Sequence, residues 1–486
     1  MIQFKVLFNI IGILLVFLGG LMFTALPFSI IYETGHHYAV IGTSIGIFLL
    51  GSLIWASTRQ PKSTISKKDG YLIVTIGWLA ISIFSALPYL FWSDAFSLTN
   101  AIFESVSGLT TTGATTLADI EIISKDVLYW RSLTQWIGGM GIIVLTVAVL
   151  PILGIGGIQL FMAESPGPSI DKMHPRIKVI AVRLWWLYIG LTFVLFVILN
   201  LLGMPFYDAL NHSLTTMATG GFSTQNSSIV DFSSAIQYTL IVFMFIAGIN
   251  YTIIYYGITA KFKQVWKNEE FKLYSSIVFS LILLLTLLVN QLKDIPLETS
   301  FREVSFQIIS IITTTGFVSA DYTSWTPFIS FIFFLLLFSG ACAGSTSGGI
   351  KLIRHLVFYK ICQMEIKQLL HSKAVLKVKV DNKTTPSSEL KHILVFFLFY
   401  IFIFAIGSFV MCIVFQDIED PIITAVGSVA TSLGNVGPAF GSLGPMDNFS
   451  EVPTLGKWIL AVLMLIGRLE IFTVLIILTP FFWRDN

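Results

Sequence analysis

The amino-acid sequence predicts an all-α polytopic membrane protein. Four parallel repeats, each made of a helix, a pore helix, a filter loop and a second helix, are expected around one pore in a pseudo-four-fold arrangement, after two N-terminal transmembrane helices. Three observations lead to this prediction: an apolar composition, apolar runs of membrane-spanning length, and a glycine-centred phrase that occurs four times. Of the 486 residues, 55% are hydrophobic and only 12% are charged, and a soluble protein of this length would need more charges to cover its surface.

The apolar runs predict the positions of the helices. They are roughly 20 residues long, the length at which a helix crosses the hydrocarbon core of a bilayer. The clearest are Leu72–Phe91, Leu184–Leu202, Ile277–Leu292, Ile393–Phe415 and Trp458–Phe482. The first run, from about Leu7 to Tyr32, is longer than a signal-peptide core and lacks a clear cleavage site, so it is interpreted as a membrane helix. With a second helix at about 39–56, it forms an N-terminal extension.

Lysine and arginine are unevenly distributed between these helices. Four inter-helix segments, at 59–68, 172–183, 261–272 and 351–391, hold most of the 29 cations. Cytoplasmic loops carry such an excess, so these segments, and with them both chain termini, are expected on the cytoplasmic side. The segments between them are poor in cations and are expected to face outward: Ser93–Asp126, Gly203–Ser234, Asp294–Thr326 and Asp417–Thr454.

Each outward segment contains one copy of the glycine phrase, and the copies align on Gly113, Gly221, Gly316 and Gly437. Every copy has a hydroxyl or amide residue two positions before the glycine and a hydroxyl residue six before it. Nine before it stands a polar residue: Glu104, His212, Gln307 or Ser428. An internal repeat of this kind defines the architecture. The expected boundaries are 1–70 for the extension, and 71–180, 181–270, 271–390 and 391–486 for pore repeats one to four.

The phrase predicts an ion-selective loop. Irregular backbone is tolerated at membrane depth only where it is buried in protein or lines a water-filled path, and a ring of carbonyl oxygens can replace the water shell of K⁺. Close helix packing or an ordinary turn would explain one such glycine, whereas four copies at matching offsets favour a pore. The expected filter residues are Thr111, Thr112, Gly113, Thr219, Gly220, Gly221, Thr314, Thr315, Gly316, Asn435, Val436 and Gly437.

The third repeat contains a second irregular stretch, Phe338–Lys351, with the sequence FSGACAGSTSGGIK. Its glycine and hydroxyl residues do not sustain a straight helix, and the apolar run from Thr326 to Gly340 is short for a bilayer crossing. An ordinary loop at a helix end is one interpretation, and a mobile intramembrane loop below the filter is the other. The loop residues are Gly344, Ser345, Thr346, Ser347, Gly348 and Gly349.

Arg468 is expected in the middle of the last apolar helix, Trp458–Phe482. A cation at membrane depth needs a wet path or a partner. It is therefore either one half of a structural salt bridge with a carboxylate of another repeat or a positive barrier below the filter. Glu470, two residues on, is expected to point elsewhere on the same helix.

Catalytic and cofactor motifs are absent from the sequence, which has no metalloprotease, nucleophile-elbow, phosphate-loop or dinucleotide-binding signature. The chain is therefore not expected to be an enzyme, to bind nucleic acid or to hold a cofactor, and K⁺ is its expected bound ion. The glycines at 138–141 and 154–157 are interpreted as packing or bend positions. His212 is interpreted as a hydrogen-bonded core residue rather than a proton relay.

Taken together, these phrases resemble the Trk/Ktr/HKT superfamily of K⁺ transporters, and most of all the membrane subunit of bacterial Trk potassium uptake systems. The resemblance covers essentially the whole chain and rests on TTTGAT, ATGGFST, TTTGFVS and GNVGPAF, on GSTSGGIK and on GRLEIFT. It implies gated, channel-like uptake of K⁺ and Rb⁺ across the bacterial inner membrane. In this family pattern Gly113 goes with K⁺ preference, the intramembrane loop is the gate and Arg468 is the barrier. The fourth phrase departs from the pattern with Asn435–Val436, so the four-fold symmetry is approximate.

The resemblance also implies partners. One is a cytosolic TrkA-type ring that binds NAD(H) and adenine nucleotides, for which the basic segment Lys351–Lys391 is a plausible dock, although positive-inside topology and contact with anionic lipid would explain that charge alone. The other is a second copy of the chain, in a homodimer. The alternative function is K⁺/H⁺ or K⁺/Na⁺ symport, for which Glu104 and Glu470 are the carboxylates nominated for a relay.

Overall fold

The computed structural model describes residues 2–59, 66–141, 177–372, 374 and 376–484. Parts of two cation-rich segments, 60–65 and 172–176, and the glycines at 154–157 lie outside the described residues. Within them, six helical stretches are long and apolar enough to cross a membrane, and two bent helix pairs raise the number to eight if each pair is one span. The six are Phe4–Ile31, His37–Thr58, Lys68–Phe91, Val182–Leu201, Glu269–Lys293 and Ser387–Val414. The prediction of a helical protein with several membrane spans is thus confirmed.

The N-terminal extension is a closely packed helix pair. Its elements are α1 (Phe4–Met22), a 3₁₀ turn (Phe23–Ala25), α2 (Leu26–Ile31) and α3 (His37–Thr58). A Cβ atom added to Gly12 would lie 2.6 Å from the backbone nitrogen of Trp55. Glycine therefore lets the backbones of α1 and α3 approach, as is common between membrane helices. Both helices lie where the sequence predicts them.

Four shorter helices alternate with longer ones along the rest of the chain. In chain order the helices are α4 (Lys67–Phe84), α5 (Leu87–Phe91), α6 (Leu98–Leu109), α7 (Lys125–Gly139), α8 (Ile177–Leu201), α9 (Phe206–Met217), α10 (Ser234–Ala247), α11 (Tyr251–Ile258), α12 (Phe262–Val265), α13 (Glu269–Lys293), α14 (Leu297–Ile312), α15 (Pro327–Leu336), α16 (Leu352–Leu370), α17 (Ser387–Val414), α18 (Pro421–Gly434), α19 (Thr454–Arg468), α20 (Phe472–Leu478) and α21 (Pro480–Trp483). Two 3₁₀ turns, Tyr322–Ser324 and Gly441–Leu443, and an antiparallel hairpin of β1 (Lys379–Val380) and β2 (Lys383–Thr384) complete the described part. The four short helices α6, α9, α14 and α18 each end just before a glycine phrase.

Side-chain caps fix where several of these helices begin. The Ser66 hydroxyl accepts a hydrogen bond from the Asp69 amide while the Asp69 carboxylate accepts one from the Ser66 amide, a reciprocal capping box at the start of α4. Asn268 caps α13 by accepting from the Phe271 amide, and Glu269 and Glu270 follow in the first turn, where the helix dipole favours acids. Polar residues next to the apolar runs thus set the helix starts.

The third long run is interrupted, as the sequence predicts. α15 ends at Leu336, and residues 337–351 are not helical. A parallel β-bridge between Ser339 and Ile350 closes this stretch into a loop, with the Gly340 amide donating to the Ile350 carbonyl oxygen at 2.8 Å. The helix α16 begins directly after it.

The last apolar run is not one helix, and the prediction of a continuous helix Trp458–Phe482 is wrong. α19 ends at Arg468, and α20 leaves it at an angle of 113°. Glu470 and Ile471 in the break have φ angles of +58° and +52°, far from those of an α-helix. Arg468 therefore lies at a helix end, and Glu470 lies in the break rather than on another face of the same helix.

The short helices end in a buried polar region. Among the six residues before each aligned glycine, thirteen hydroxyl side chains have no solvent exposure: Ser107, Thr110, Thr111, Thr112, Thr215, Thr216, Thr219, Ser310, Thr313, Thr314, Thr315, Thr431 and Ser432. Buried hydrophobic residues of the surrounding helices enclose them. Because buried polar groups are costly unless they are bonded, such a concentration inside an apolar chain marks the candidate site.

Candidate functional site

The four short helices end with the same backbone turn. The amide of the residue just before each aligned glycine donates to the carbonyl five residues earlier, with N···O distances of 2.9 Å for Thr112, 2.9 Å for Gly220, 2.8 Å for Thr315 and 3.0 Å for Val436. This is the long hydrogen bond of a Schellman motif, in which the preceding residue adopts left-handed backbone angles. The four glycine phrases therefore share one local conformation, although their sequences differ.

The left-handed residue of each turn is threonine or asparagine. The φ angles are +54° for Thr111, +52° for Thr219, +57° for Thr314 and +54° for Asn435. Glycine usually takes this position, because a β-branched side chain is strained at positive φ. Such strain concentrates at functional positions, so these residues mark the site independently of the glycines.

The four glycine segments contact one another in a closed cycle. A Cβ atom added to an aligned glycine would meet a carbonyl oxygen of the next segment: Gly220 O at 2.2 Å from Gly113, Thr315 O at 2.0 Å from Gly221, Val436 O at 2.1 Å from Gly316, and Thr112 O at 2.7 Å from Gly437. Real Cβ atoms do not approach oxygen this closely. Glycine is therefore required at each contact, and the structure brings the four segments together in the order in which they occur along the chain.

The loop 337–351 lies against three of the four left-handed residues. The Gly348 amide donates to Thr314 Oγ1 at 2.6 Å, and Thr219 Oγ1 is 3.3 Å from Thr346 Oγ1. A Cβ atom on Gly348 would lie 2.7 Å from the Cβ of Asn435. The loop residues predicted from the sequence thus contact the predicted filter residues of the second, third and fourth segments.

Glu270 and Asn250, which the sequence analysis missed, hold the middle of this loop, and Glu270 also holds the start of α16. Glu270 Oε1 accepts from the amides of Ala343 at 2.7 Å and Ile353 at 3.0 Å, and its side chain is buried. Asn250 Nδ2 donates to the Ala343 carbonyl at 2.6 Å. The sequence contains a weak signal for Glu270, an acid at the start of a membrane-length run, but that position is also an ordinary one for a first-turn acid.

Arg468 joins the loop to the end of α7. Its guanidinium donates to the carbonyl oxygens of Thr346 at 2.9 Å, Gly138 at 2.5 Å and Gly139 at 3.4 Å. Gly138 itself packs against the end of α6, because a Cβ there would lie 1.8 Å from the Leu109 carbonyl oxygen, which confirms that glycine as a packing position. Arg468 therefore connects the loop to the stretch of α7 that packs against the end of α6.

Glu470, within the break in the last run, forms an ion pair. Its carboxylate pairs with Arg354 of α16, whose guanidinium carbon lies 4.1 Å from the centroid of the Phe396 ring. The helix that follows the loop is thus tied to the break that follows Arg468. The sequence did not predict this pair, because its members are 116 positions apart.

Glu104 and Arg131 form a buried ion pair behind the first segment. Arg131 Nε is 3.1 Å from Glu104 Oε2, and the side-chain exposures are 1% and 0%. Glu104 Oε1 also accepts from Thr115 Oγ1 at 2.7 Å and from the Thr116 amide at 2.5 Å. The sequence analysis nominated Glu104 as a member of the repeat and as a relay, and it overlooked Arg131, which lies in none of the predicted apolar runs.

Two further polar side chains support the second segment. Gln135, one turn after Arg131 on α7, donates from Nε2 to the Gly220 carbonyl at 2.5 Å and accepts from the Phe222 amide at 3.0 Å. His212 is fully buried, with Nδ1 2.8 Å from the Asp208 carbonyl oxygen and Nε2 3.0 Å from Ser223 Oγ. The prediction that His212 is a hydrogen-bonded core residue is confirmed.

The chain is similar over nearly its whole length to proteins of potassium transport. Residues 36–484 match the model of the TrkH family, described as a cation transport protein. The Trk system potassium uptake protein TrkH of Salmonella typhimurium is 38% identical over 489 residues, which cover 99% of this chain and 100% of the relative. The Trk system potassium uptake protein TrkG of Escherichia coli is 32% identical over 464 residues, 94% of each chain. The crystal structure of the potassium transporter TrkH from Vibrio parahaemolyticus has a TM-score of 0.88 and 35% identity, and the match covers 99% of this chain and 100% of that one.

Proposed function

The chain belongs to the TrkH family of cation transport proteins, and we propose that it takes up K⁺, with Rb⁺ as a substitute, through a ring of backbone carbonyls built by the four glycine segments. By family it is a membrane transporter with several spans and not an enzyme. Four parallel repeats surround one pore with approximate four-fold symmetry in this proposal. The inner membrane of a bacterium is its location, with both termini on the cytoplasmic side.

The observation that carries the proposal is the closed cycle of glycine–carbonyl contacts. Four segments of one conformation meet at equivalent atoms, which is the arrangement that a ring of cation-coordinating carbonyls requires. Among the described residues, two buried oxygen atoms at the left-handed positions, Thr111 Oγ1 and Asn435 Oδ1, also have no hydrogen-bond partner. An unpaired buried acceptor calls for a bound water or ion, and K⁺ in the filter would supply that partner.

In the proposed cycle, the loop 337–351 is the gate and Arg468 is the barrier below the filter. The loop reaches three segments through few contacts, so it can leave without unfolding a helix. Arg468 places a positive charge beside the path and holds the loop through the Thr346 carbonyl. When the loop moves, the contact between Thr346 and Arg468 is lost, and the positive charge is free to move away from the path of the cation.

Regulation is proposed to come from other chains. α16 follows the gate directly and belongs to the basic segment Lys351–Lys391, so a soluble ring bound there could pull on the loop. A TrkA-type ring that binds NAD(H) and adenine nucleotides is the proposed partner, together with a homodimeric assembly in which each copy has its own pore. K⁺ is the transported ion, and no cofactor takes part.

The alternative function, coupled symport, would need a carboxylate that exchanges protons or binds Na⁺ in the path. Both nominated carboxylates are held by arginines, Glu104 by Arg131 and Glu470 by Arg354. Each carboxylate is thus already engaged by a fixed cation of the protein rather than open to a transported one. This favours passive flow, for which the membrane potential supplies about 2.3 kcal/mol per charge per 100 mV.

The test is Rb⁺ uptake into K⁺-loaded liposomes that contain only the purified protein, at fixed pH and set voltage. Uptake that follows the voltage and the K⁺ gradient, and that ignores imposed H⁺ and Na⁺ gradients, is the expected result. Uptake that requires a H⁺ or Na⁺ gradient would contradict passive flow and favour the symporter. Two controls give the background: empty liposomes, and protein-containing liposomes with choline in place of external Rb⁺.

A further inference from the structure

The polar residue nine positions before each filter glycine has a shared structural role in three segments. Glu104 binds the Thr116 amide, His212 lies 3.0 Å from Ser223 Oγ, and Gln307 Nε2 donates to the Ala320 carbonyl at 3.0 Å. In each case the side chain of the short helix bonds a residue that follows the glycine. It thus connects the two sides of the proposed filter residues. In the fourth segment the Ser428 hydroxyl bonds within its own helix, to the Ala425 carbonyl.

The first of these side chains is the charged one, and its arginine reaches a second segment. Besides Glu104, Arg131 donates from Nη2 to Thr115 Oγ1 at 3.1 Å and from Nη1 to the Ser223 carbonyl at 3.5 Å. Its guanidinium carbon lies 4.0 Å from the centroid of the Phe222 ring. One buried guanidinium thus links the outer stretch of the first segment to that of the second.

We propose that Glu104 and Arg131 are a positioning pair that fixes the separation of the first and second filter segments and thereby sets the discrimination between K⁺ and Na⁺. This inference rests on the proposed function. A carbonyl ring selects between cations by the number and spacing of its oxygens. These two segments meet at the contact between Gly113 and the Gly220 carbonyl oxygen. A displacement of one segment relative to the other therefore changes the spacing of the carbonyl oxygens at this contact.

The chemistry of the pair suits this task. Charge-assisted hydrogen bonds are shorter and stronger than neutral ones, and the planar guanidinium offers donors in a fixed fork. Gln135, on the same face of α7, holds the Gly220 carbonyl and the Phe222 amide from the same side. α7 therefore supports the second segment by two side chains while Glu104 fixes the first segment to that helix.

The experiment compares Glu104→Gln with Glu298→Gln in liposomes that contain the full chain. Glu298 also accepts from an arginine Nε, that of Arg302, at 3.0 Å, but its side chain is 56% exposed and it lies at the outer end of α14. We expect E104Q to lower the Rb⁺/Na⁺ uptake ratio by about tenfold or more, the scale of one lost charge-assisted hydrogen bond, and E298Q to leave it unchanged. A folded E104Q protein with the wild-type ratio overturns the proposal.

A second variant covers the case in which E104Q does not fold because Arg131 is left buried without its partner. The double variant Glu104→Gln, Arg131→Gln leaves no unpaired charge and gives the first segment the amide that Gln307 provides in the third. It is expected to be monodisperse and to discriminate less well than wild type, and a wild-type ratio again overturns the proposal. Absence of K⁺-selective uptake by the wild-type protein would instead contradict the proposed function itself.

Discussion

At the scale of single residues, each glycine phrase places a hydroxyl or amide residue in the left-handed position two before the glycine. The sequence predicts that the helix stops at TTTG, since several threonines and a glycine disfavour it. It does not predict that threonine, rather than glycine, takes the left-handed position of the Schellman turn, because propensity argues against a β-branched residue there. The conformation of Thr111 is enforced by burial and by the neighbouring segments, which a single sequence does not display.

Gly113→Ser is the sharpest residue-scale test of the filter. The new Cβ would lie 2.2 Å from the Gly220 carbonyl oxygen, and the backbone at this position has a φ angle of +82°. The carbonyl ring must therefore distort, or the serine oxygen must enter it. We expect Na⁺ to be admitted and the Rb⁺/Na⁺ uptake ratio to fall by about tenfold or more, as for loss of a 1.4 kcal/mol preference. Paired uptake of ²²Na⁺ and ⁸⁶Rb⁺ measures this. Gly46→Ser is the control, since nothing lies within 4 Å of a Cβ at that glycine, and unchanged discrimination in G113S would refute the filter assignment.

Thr314→Val tests the contact between the filter and the gate loop. Valine keeps the shape but removes the oxygen that accepts from the Gly348 amide. A buried amide without a partner costs about 1–3 kcal/mol, which should shift the loop away from its position and raise uptake in the absence of a partner roughly fivefold or more. Rb⁺ influx in partner-free liposomes is the measurement. Thr314→Ser, which retains the hydroxyl, should behave like wild type. Equal influx in T314V and T314S would mean that this bond does not hold the gate.

At the scale of elements, the breaks after α15 and after α19 differ, because only the first could be predicted from the sequence. The loop after α15 contains Gly344, Gly348 and Gly349 with three hydroxyl residues between them, a composition that no helix sustains. The break after α19 lies in RLEIF, which contains neither glycine nor proline. It depends on Glu470 pairing with Arg354 and on Arg468 reaching Thr346. Both contacts join residues more than 100 positions apart, and a local pattern contains no information about them.

The contacts of Arg468 at this second break lead to a prediction about the gate loop. Arg468→Ala removes the hydrogen-bond donors to Thr346 and Gly138, and it removes the charge beside the path. Each hydrogen bond from a charged donor is worth about 1.5–3 kcal/mol. The variant should therefore raise Rb⁺ influx several-fold in liposomes without the partner. Arg468→Lys separates the two effects. Lysine keeps the charge but loses the planar fork, so low influx in R468K identifies a charge barrier.

The influx of each Arg468 variant is interpreted only for protein that is shown to be folded. High influx in both R468A and R468K would show that Arg468 acts as a clamp on the loop and that its charge is dispensable. Influx in R468A equal to that of wild type, in a protein that is monodisperse by size-exclusion chromatography, would contradict both roles and leave a purely structural one. Arg302→Ala, which affects a partly exposed arginine on α14, controls for loss of an arginine elsewhere.

At the scale of the whole molecule, composition and the apolar runs were enough to predict the class and the positions of most spans. The sequence could not reveal how the four glycine segments meet, because the cycle depends on contacts between residues that are from 94 (Gly221 to Thr315) to 325 (Thr112 to Gly437) positions apart. It also could not show that Glu104 faces Arg131, since each residue alone has an ordinary explanation. What could be predicted is set by local hydropathy and turn chemistry, and what could not is set by tertiary packing.

The distribution of acidic residues is a property of the whole chain with a consequence for transport. The four segments expected to face outward contain sixteen of the 27 carboxylates but only two of the 29 lysines and arginines, Lys125 and Arg302. Several of the carboxylates are exposed, among them Asp94, Glu121, Asp231, Asp294, Glu298, Asp417, Glu419, Asp420, Asp447 and Glu451. A surface of one sign raises the local concentration of counter-ions at a nearby entrance. The proposed outward face should therefore concentrate K⁺ at the entrance of the proposed filter.

Ionic strength should then control uptake at low K⁺. The screening length falls from about 30 Å at 0.01 M salt to about 8 Å at 0.15 M, so the field of the outer carboxylates reaches the entrance only in dilute salt. We expect the apparent KM for Rb⁺ to rise several-fold between these conditions while the maximal rate stays constant, because screening changes the local cation concentration and not the filter. Choline chloride, whose cation is too large for a carbonyl ring, adjusts the salt at constant voltage. A KM that is independent of choline chloride would show that the acidic segments lie away from the entrance or face the other side of the membrane. A matched fall in KM and maximal rate would instead indicate that choline enters or blocks the pore.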